Sequence, residues 1–491
     1  MILKRPYYIK IAVCFLIIML YRQDAVIYSQ NVPLLPYPRQ IYERKGVFNM
    51  NEFVPVFLRR NATLEEQRAV WALCEGFENI FGIPLKVTDK EHGSIIVLRN
   101  LATEIPSKKH GRMILPVGEE GYQLNIYTNR IEIIANSNVG LFYGSQTLLQ
   151  LFRISSVNGT INCMTINDIP TSSKRYLCYD WDSINKPSYN YMKQLIQFAS
   201  HFKFNGIVFL NDSLSSPFAE METYYLKKFS EQYYVDIVTS KRKLSGINIL
   251  NINLKNKIYP EFQSTVQSVF SPFVTDENKL TLFHNNGAAL FIDTWYPLLW
   301  SAEMLWNQPK NNTEELMKQR QSQYEKSLDK QLFEVGFPLT EQLRVFDSLH
   351  IVSLSKNDFW RPVTPSGGSQ KYNPANNRFV LERAMALEET LQMLLDNETI
   401  KHDEIIYSII FAAQRAGFIA LKNLLQESLA QQNTESENIQ ETVDLLLENI
   451  RHLKKAHQTL WSIENATPFP ITIEKKYDMI SDSINNYKEY E

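Results

Sequence analysis

Residues 293–306, DTWYPLLWSAEMLW, set two carboxylates, Asp293 and Glu303, among four large aromatic side chains, Trp295, Tyr296, Trp300 and Trp306. Indole faces stack on the apolar face of a pyranose, and a neighbouring carboxylate accepts its hydroxyl hydrogens. A hydrophobic hinge between two parts of the chain uses the same residue types, so both readings stand. Asp212 follows a strand candidate, the position where a barrel carries functional side chains, and serves equally as a loop cap. Glycoside hydrolysis needs two carboxylates at a defined separation, and the acid of the pair needs an enclosed site that raises its pKa.

Composition narrows the chemistry further. Beyond Cys14 the cysteines are Cys74, Cys163 and Cys178, too scattered for a disulfide framework or a spaced metal motif, so no metal and no cofactor is expected. A formal charge of -2 and the lack of a Lys/Arg stripe argue against a nucleic-acid partner. At the start, Lys4, Arg5 and Lys10 precede an apolar run from Ile11 to Tyr21, followed by polar residues and a small-residue cut near Ser29. That layout over residues 1–29 is a signal peptide, with an uncleaved anchor as the other reading. It predicts export to a periplasmic, outer-envelope-associated or extracellular location.

The elements that must position these residues divide the chain. Thr63 to Glu66 spells a capping box, Val70, Leu73, Cys74, Phe77 and Phe81 recur at helical spacing, and Gly82 supplies a left-handed stop. Strands are predicted over 94–98, 122–127 and 130–135, and a second helix over 140–151, giving a compact α/β domain over residues 31–170. From Arg175 the pattern becomes strand 176–180, helix 188–202, strand 205–210, helix 219–231 and strand 234–238. These are parallel βα units. Residues 240–286 lose periodicity, Ala288–Asp293 reads as a buried strand, and 312–333 as a charged helix. A linker rich in Gly, Ser, Pro and Asn at 366–377 leads into three helices within 376–491, a bundle that either props the fold or docks a protein partner.

Glu120-Gly121-Tyr122 with the stretch from Gly140 to Leu148 resembles the non-catalytic N-terminal domain of family 20 glycoside hydrolases, the β-N-acetylhexosaminidases. The resemblance runs on through Asn167-Asp168-Ile169-Pro170, Arg175, Asp180 and Phe202-Lys203-Phe204-Asn205, and more weakly over 288–310 and 455–480. It implies that Arg175, at the end of a first barrel strand, grips the hydroxyls of a terminal sugar, with a salt bridge or strand cap as the plain alternative. Asp180 belongs to the same motif. A second arginine is missing, since Trp181, Asp182 and Ser183 follow instead. The resemblance also implies a catalytic Asp-Glu pair after a fourth strand, and the Asp-Glu neighbours there, Asp276-Glu277 in the polar VTDENK turn and Asp403-Glu404 in a helical stretch, lack the glycine-rich strand-end setting of the family. From Arg175 to Asn307 the chain is about half as long as the ~250 residues of a full (β/α)₈ barrel.

The fold class expected is therefore α/β: an accessory α+β sandwich over 31–170, a reduced TIM-like barrel over 171–365, and a helical domain over 376–491. The function implied is an exported glycoside-hydrolase-like protein that binds amino-sugar glycans or assists their processing without the standard hydrolytic mechanism. The expected sugar contacts are Arg175, Asp180, Trp295, Tyr296 and Trp300. Two alternatives stay open. One is an active exo-β-N-acetylhexosaminidase with relocated carboxylates, drawn from Asp293, Glu303 and Asp212. The other is a non-enzymatic structural or interaction protein.

Overall fold

A computed structural model of the chain describes residues 32–50, 54–103, 118–155, 159–181, 183, 186–211, 216–241, 274–275, 278–279, 295–307, 314–332, 359–364, 374–396, 403–431 and 436–488. The fold is mixed α/β.

A seven-stranded sheet comes first: β1 (Gln40–Asn49), β2 (Val56–Phe57), β3 (Val87–Thr88), β4 (Ile95–Asn100), β5 (Tyr122–Ile126), β6 (Arg130–Ala135) and β7 (Thr160–Asp168), in the order β1-β7-β5-β6-β4-β2-β3. The β1, β7, β5 and β6 neighbours run antiparallel, whereas β6, β4, β2 and β3 run parallel. Helices α1 (Leu64–Phe81) and α2 (Asn138–Ser155) pack against it and against each other. Thr63 and Glu66 form the predicted capping box, and Gly82 ends α1 in the left-handed region at φ 72°. Cys74 is half-buried on α1, as its place in the apolar stripe predicts, and burial raises its thiol to about 11.

Helix α2 is buried on every side from Gly140 to Phe152. Gly140 and Gly144 face the sheet, and a Cβ at either would collide with Gly121 and Ala135 or with Ile133. Its polar residues Ser145, Gln146, Thr147 and Gln150 are buried too. A helix covered on both flanks has no solvated face, so each polar group must find a partner inside.

A parallel three-stranded sheet follows, β8 (Tyr176–Asp180), β9 (Gly206–Asn211) and β10 (Asp236–Lys241), in the order β10-β9-β8. Its crossovers are α3 (Tyr189–His201) and α4 (Glu220–Gln232). Among the described residues this sheet does not close, and the one other sheet is the short β11 (Val274–Thr275) and β12 (Asn278–Lys279) pair. The segment with the four aromatics forms α5 (Trp295–Trp306), followed by α6 (Glu314–Leu332). Among the described residues the C-terminal third holds four long helices where three were expected: α7 (Pro374–Leu395), α8 (Asp403–Gln431), α9 (Ser436–Glu464) and α10 (Ile471–Asn485).

Two apolar clusters form the core. One lies under the seven-stranded sheet and includes Tyr122, Phe142, Phe152 and Trp306. The other runs without a break from Leu177, Tyr179 and Phe209 of the parallel sheet to Leu387, Phe418, Leu446, Trp461 and Ile480 of the C-terminal helices. Apolar area removed from water stabilises by about 25 cal/mol per Å². One shared cluster therefore couples these helices to the sheet rather than leaving them as an appendage.

Candidate functional site at the junction of the two sheets

Strand β7 ends at Asp168, and seven residues later Arg175 immediately precedes β8, so two buried charges bracket the passage from one sheet to the other. Asp168 is completely buried. Its Oδ2 accepts from the Tyr122 hydroxyl at 2.7 Å and the Lys203 ammonium at 3.0 Å. Its Oδ1 accepts from the Trp306 indole at 2.9 Å and from the backbone N–H groups of Ile169 at 3.0 Å and Arg39 at 3.2 Å. Five donors, one of them from the neighbouring residue and four from distant parts of the chain, meet on one carboxylate. Removing Lys203, its ionic partner, would leave this carboxylate an uncompensated buried charge.

Lys203 lies between Phe202 and Phe204 in the turn from α3 into β9, with φ at 62°, and its ammonium is buried. Burial pushes the ammonium below its usual pKa, and Asp168 opposes that shift. A non-glycine residue in the left-handed region persists where its surroundings hold it, and the Asp168 contact does so here. Tyr122, also fully buried, has its hydroxyl pushed well above the ordinary range by burial and then by Asp168.

Arg175 is buried to 1% exposure, and its guanidinium makes five hydrogen bonds. Nε donates to the Lys203 carbonyl at 2.8 Å, one terminal nitrogen to Glu120 at 2.8 Å and the Ser172 carbonyl at 2.6 Å, and the other to Glu120 at 2.8 Å and the Tyr143 hydroxyl at 3.0 Å. A guanidinium carries five N–H donors in a fixed fork, so all are engaged by the protein itself. Burial alone would depress Arg175, but Tyr143 and Glu120 hold it above its ordinary value. The Trp306 ring lies 4.9 Å from the Arg175 guanidinium and 4.4 Å from the Lys203 ammonium, so one indole serves both cations. The junction thus balances two cations, Arg175 and Lys203, with two carboxylates, Glu120 and Asp168. Backbone bonds complete it. Thr171 and Ser172 donate to the Trp306 and Leu305 carbonyls at the end of α5, and Asn205 accepts the Arg175 N–H through its side chain at 2.8 Å.

The residues expected to meet sugar divide in the structure. Arg175 stands at the N-terminal end of β8, not at the far end where α/β sheets take ligands. Trp300 is 6% exposed and packs edge-on against Tyr324, 4.9 Å between ring centroids, inside the second core. Glu303 is buried on α5, where its carboxylate accepts from the Tyr37 N–H at 2.6 Å and the Asn307 amide at 3.1 Å. Burial pushes Glu303 above the usual carboxylate range. Trp295 and Tyr296 open α5, and Asp180 ends β8, but their side chains lie outside the described residues. Asp212, Asp293, and the pair Asp276-Glu277 lie outside them altogether. Among the described residues no group of three or more His, Cys, Asp or Glu converges to hold a metal.

Sequence reasoning passed over Asp168, Lys203 and Glu120 as site residues, although each sits in a motif that carries the family resemblance. The available signal was Lys203 itself, a charge placed between two phenylalanines at the mouth of a buried strand. At the opposite end of the parallel sheet it also missed Glu464, which is fully buried at the end of α9 and accepts from the Tyr179 hydroxyl at 2.9 Å. The Ser188 N–H donates to the Glu464 carbonyl, the Ala466 N–H to that of Lys186, and Pro187 bridges to Asn465. Through these contacts α9 braces the segment that follows β8.

Residues 31–169 match the family model described as glycosyl hydrolase family 20, domain 2. A β-hexosaminidase of Porphyromonas gingivalis is 24% identical over 184 residues, covering 36% of this chain and 20% of the relative. Among solved structures, the family 20 β-N-acetylhexosaminidase of Streptomyces coelicolor A3(2) aligns at 20% identity and a TM-score of 0.34, over 42% of this chain and 45% of that one. The β-N-acetylhexosaminidase of Bacteroides fragilis aligns at 16% identity and a TM-score of 0.34, over 43% and 44%. The matched region spans about a fifth of the curated relative and under half of each solved chain. The chain therefore carries a distant, partial hexosaminidase-like domain.

Proposed function

We propose that this protein is an exported, hexosaminidase-like protein that binds amino-sugar glycans and does not hydrolyse them by the two-carboxylate route. In this reading residues 31–170 are an accessory domain, 171–365 a shortened (β/α) barrel and 376–491 a helical domain that completes its packing. The glycan class rests on the family 20 match of the first domain. The observation that carries the loss of hydrolysis is the state of the charges at the junction. All five Arg175 donors are engaged by protein groups, and the carboxylates beside it, Glu120, Asp168 and Glu303, are each held by protein donors. A general acid has to reach the glycosidic oxygen, and a nucleophile or base has to face it across the sugar. Asp168 and Glu303 are buried and committed to backbone, lysine and amide donors, and Glu120 is paired with Arg175, so in this reading none of the three does either.

The ligand end, in this reading, is the C-terminal edge of the parallel sheet, where β8, β9 and β10 end at Asp180, Asn211 and Lys241. Asp180 and Asp212 supply acceptors there, and Trp295 and Tyr296 supply stacking faces. Arg175 and Trp300 act as junction and core residues.

The test pairs two assays on the full chain. One measures release of a chromophore from an N-acetyl-β-glucosaminide. The other measures binding of an N-acetylglucosamine oligosaccharide by calorimetry, with Trp295→Ala and Asp212→Asn as variants. Binding without turnover, weakened at least about tenfold by either variant, is the expected result. Turnover that Asp293→Asn or Asp212→Asn abolishes would establish an active enzyme with relocated carboxylates. Neither binding nor turnover would point to a structural role.

A further inference from the structure

Residues 32–39, VPLLPYPR, form neither helix nor strand, yet their backbone is gripped at almost every step. Gln150 on α2 treats Leu35 as a strand treats its neighbour: its carbonyl oxygen accepts the Leu35 N–H at 2.9 Å and its amide donates back to the Leu35 carbonyl. On α5, Glu303 accepts the Tyr37 N–H at 2.6 Å while Asn307, just past the helix, donates to the Tyr37 carbonyl. On α6, Gln331 donates to the Pro33 carbonyl at 2.8 Å and Gln323 to that of Val32 at 3.3 Å. Asp168 takes the Arg39 N–H. The side chains divide between the two cores: Leu34 plugs the one under the seven-stranded sheet and Leu35 the one shared with the C-terminal helices, at 1% and 0% exposure.

We propose that this segment is an intramolecular peptide ligand. Its receptor groove is built by α2, α5 and α6, and its release is a conformational step separate from global unfolding. Three observations carry this. The contacts are side chain to backbone rather than a ladder, so the segment leaves without unzipping a sheet. The bonds come from residues as far as 115 and 298 positions along the chain, so the groove exists only after the rest has assembled. Helix α5 touches the segment with Glu303 and carries Trp306, which serves Arg175, Lys203 and Asp168. Docking of the strap therefore sets how firmly α5 and α6 sit on the junction, and release loosens them while the seven-stranded sheet stays intact. The groove reads an extended backbone through glutamine, asparagine and glutamate and two adjacent leucines through apolar pockets. Its ligand class is a leucine-rich, proline-punctuated peptide.

Hydrogen–deuterium exchange on the full chain tests this, comparing the native protein with Leu35→Asp and the milder Gln331→Ala. Exchange in residues 32–39, α5 and α6 should rise together, by at least about tenfold in Leu35→Asp, while β5 and β6 keep native protection. Excess synthetic peptide of residues 32–39 should restore protection to α5 and α6 in Leu35→Asp. Loss of β5 and β6 protection in step with α5 in both variants would overturn the proposal. So would unchanged α5 and α6 protection in both, or failure of the peptide to restore it.

Discussion

The two ends of the parallel sheet are built on opposite plans. At the N-terminal end, Arg175 and Asn205 tie β8 and β9 to the seven-stranded sheet, and each charge there has its counter-charge inside the protein. At the C-terminal end the strands run out at Asp180, Asn211 and Lys241, and the bracing comes from outside the sheet, through Glu464 at the end of α9. The first end is a closed electrostatic joint. The second is the end at which parallel sheets present side chains to ligands. An arginine beside the first strand therefore belongs to binding or to architecture according to the end it occupies, and Arg175 lies at the N-terminal end, with its donors engaged by the protein.

Breaking the joint should have the largest effect. Asp168→Ala removes the acceptor of five donors and leaves Lys203 as an unpaired buried cation, so stability should fall by about 3–5 kcal/mol. Denaturant unfolding measures this, and a loss below about 1 kcal/mol would mean that the pair is replaceable. Next comes Arg175→Ala, expected to cost about 3 kcal/mol. In a double-mutant cycle with Glu120→Ala the two losses should be clearly less than additive, because each removes the same bidentate pair. Additive losses would break the comparison by showing that the two groups act separately.

The C-terminal helices supply a pH-dependent term. His457, buried among Phe411, Phe469 and Tyr477, is held down at about 3 by burial and then by Arg415. Its folded pKa lies below its unfolded value, so its contribution is complete above about 6.5 and is lost as pH falls toward the folded value. Between those limits each pH unit removes about 1.4 kcal/mol. The stability difference between the native protein and His457→Phe should therefore shift by about 2 kcal/mol in favour of the variant from pH 6.5 to pH 5. A difference that stays constant with pH would refute the neutral buried imidazole. The smallest effect belongs to the braced end: Tyr179→Phe removes the hydroxyl donor to Glu464 and should cost about 1–2 kcal/mol. A loss as large as that of Asp168→Ala would erase the contrast between the two ends.

What the sequence disclosed follows the range of the forces involved. The α1 capping box and its Gly82 stop are local and read correctly, as do the βα units from 176 to 241, whose apolar runs need no partner to be recognised. Strands β1 and β7 escaped. In β1 the buried apolar positions are Ile41 and Phe48, and an irregularity between Glu43 and Val47 breaks the two-residue alternation. Strand β7 mixes Thr, Asn and Asp with its apolar residues, because partners on both sides satisfy them. The aromatic run 295–306 read as a sugar platform or hinge. In the fold it is a helix carrying Leu299 and Trp300 into one core and Trp306 into the other. Helix α10 was hidden by its acidic and basic residues, though Ile473, Tyr477, Ile480 and Ile484 keep a helical stripe. The junction charges were the least legible, since Glu120, Asp168, Arg175 and Lys203 meet only through tertiary contacts.

The division of labour between the two ends is tested most directly by Arg175→Lys, read in two ways on one preparation. Lysine keeps the charge but loses the fork that satisfies Glu120, Tyr143 and two carbonyls. Arginine as architecture predicts a lower melting temperature with unchanged affinity of the folded protein for an N-acetylglucosamine oligosaccharide. A variant that melts like the native protein but no longer binds that oligosaccharide would contradict it and return Arg175 to the ligand.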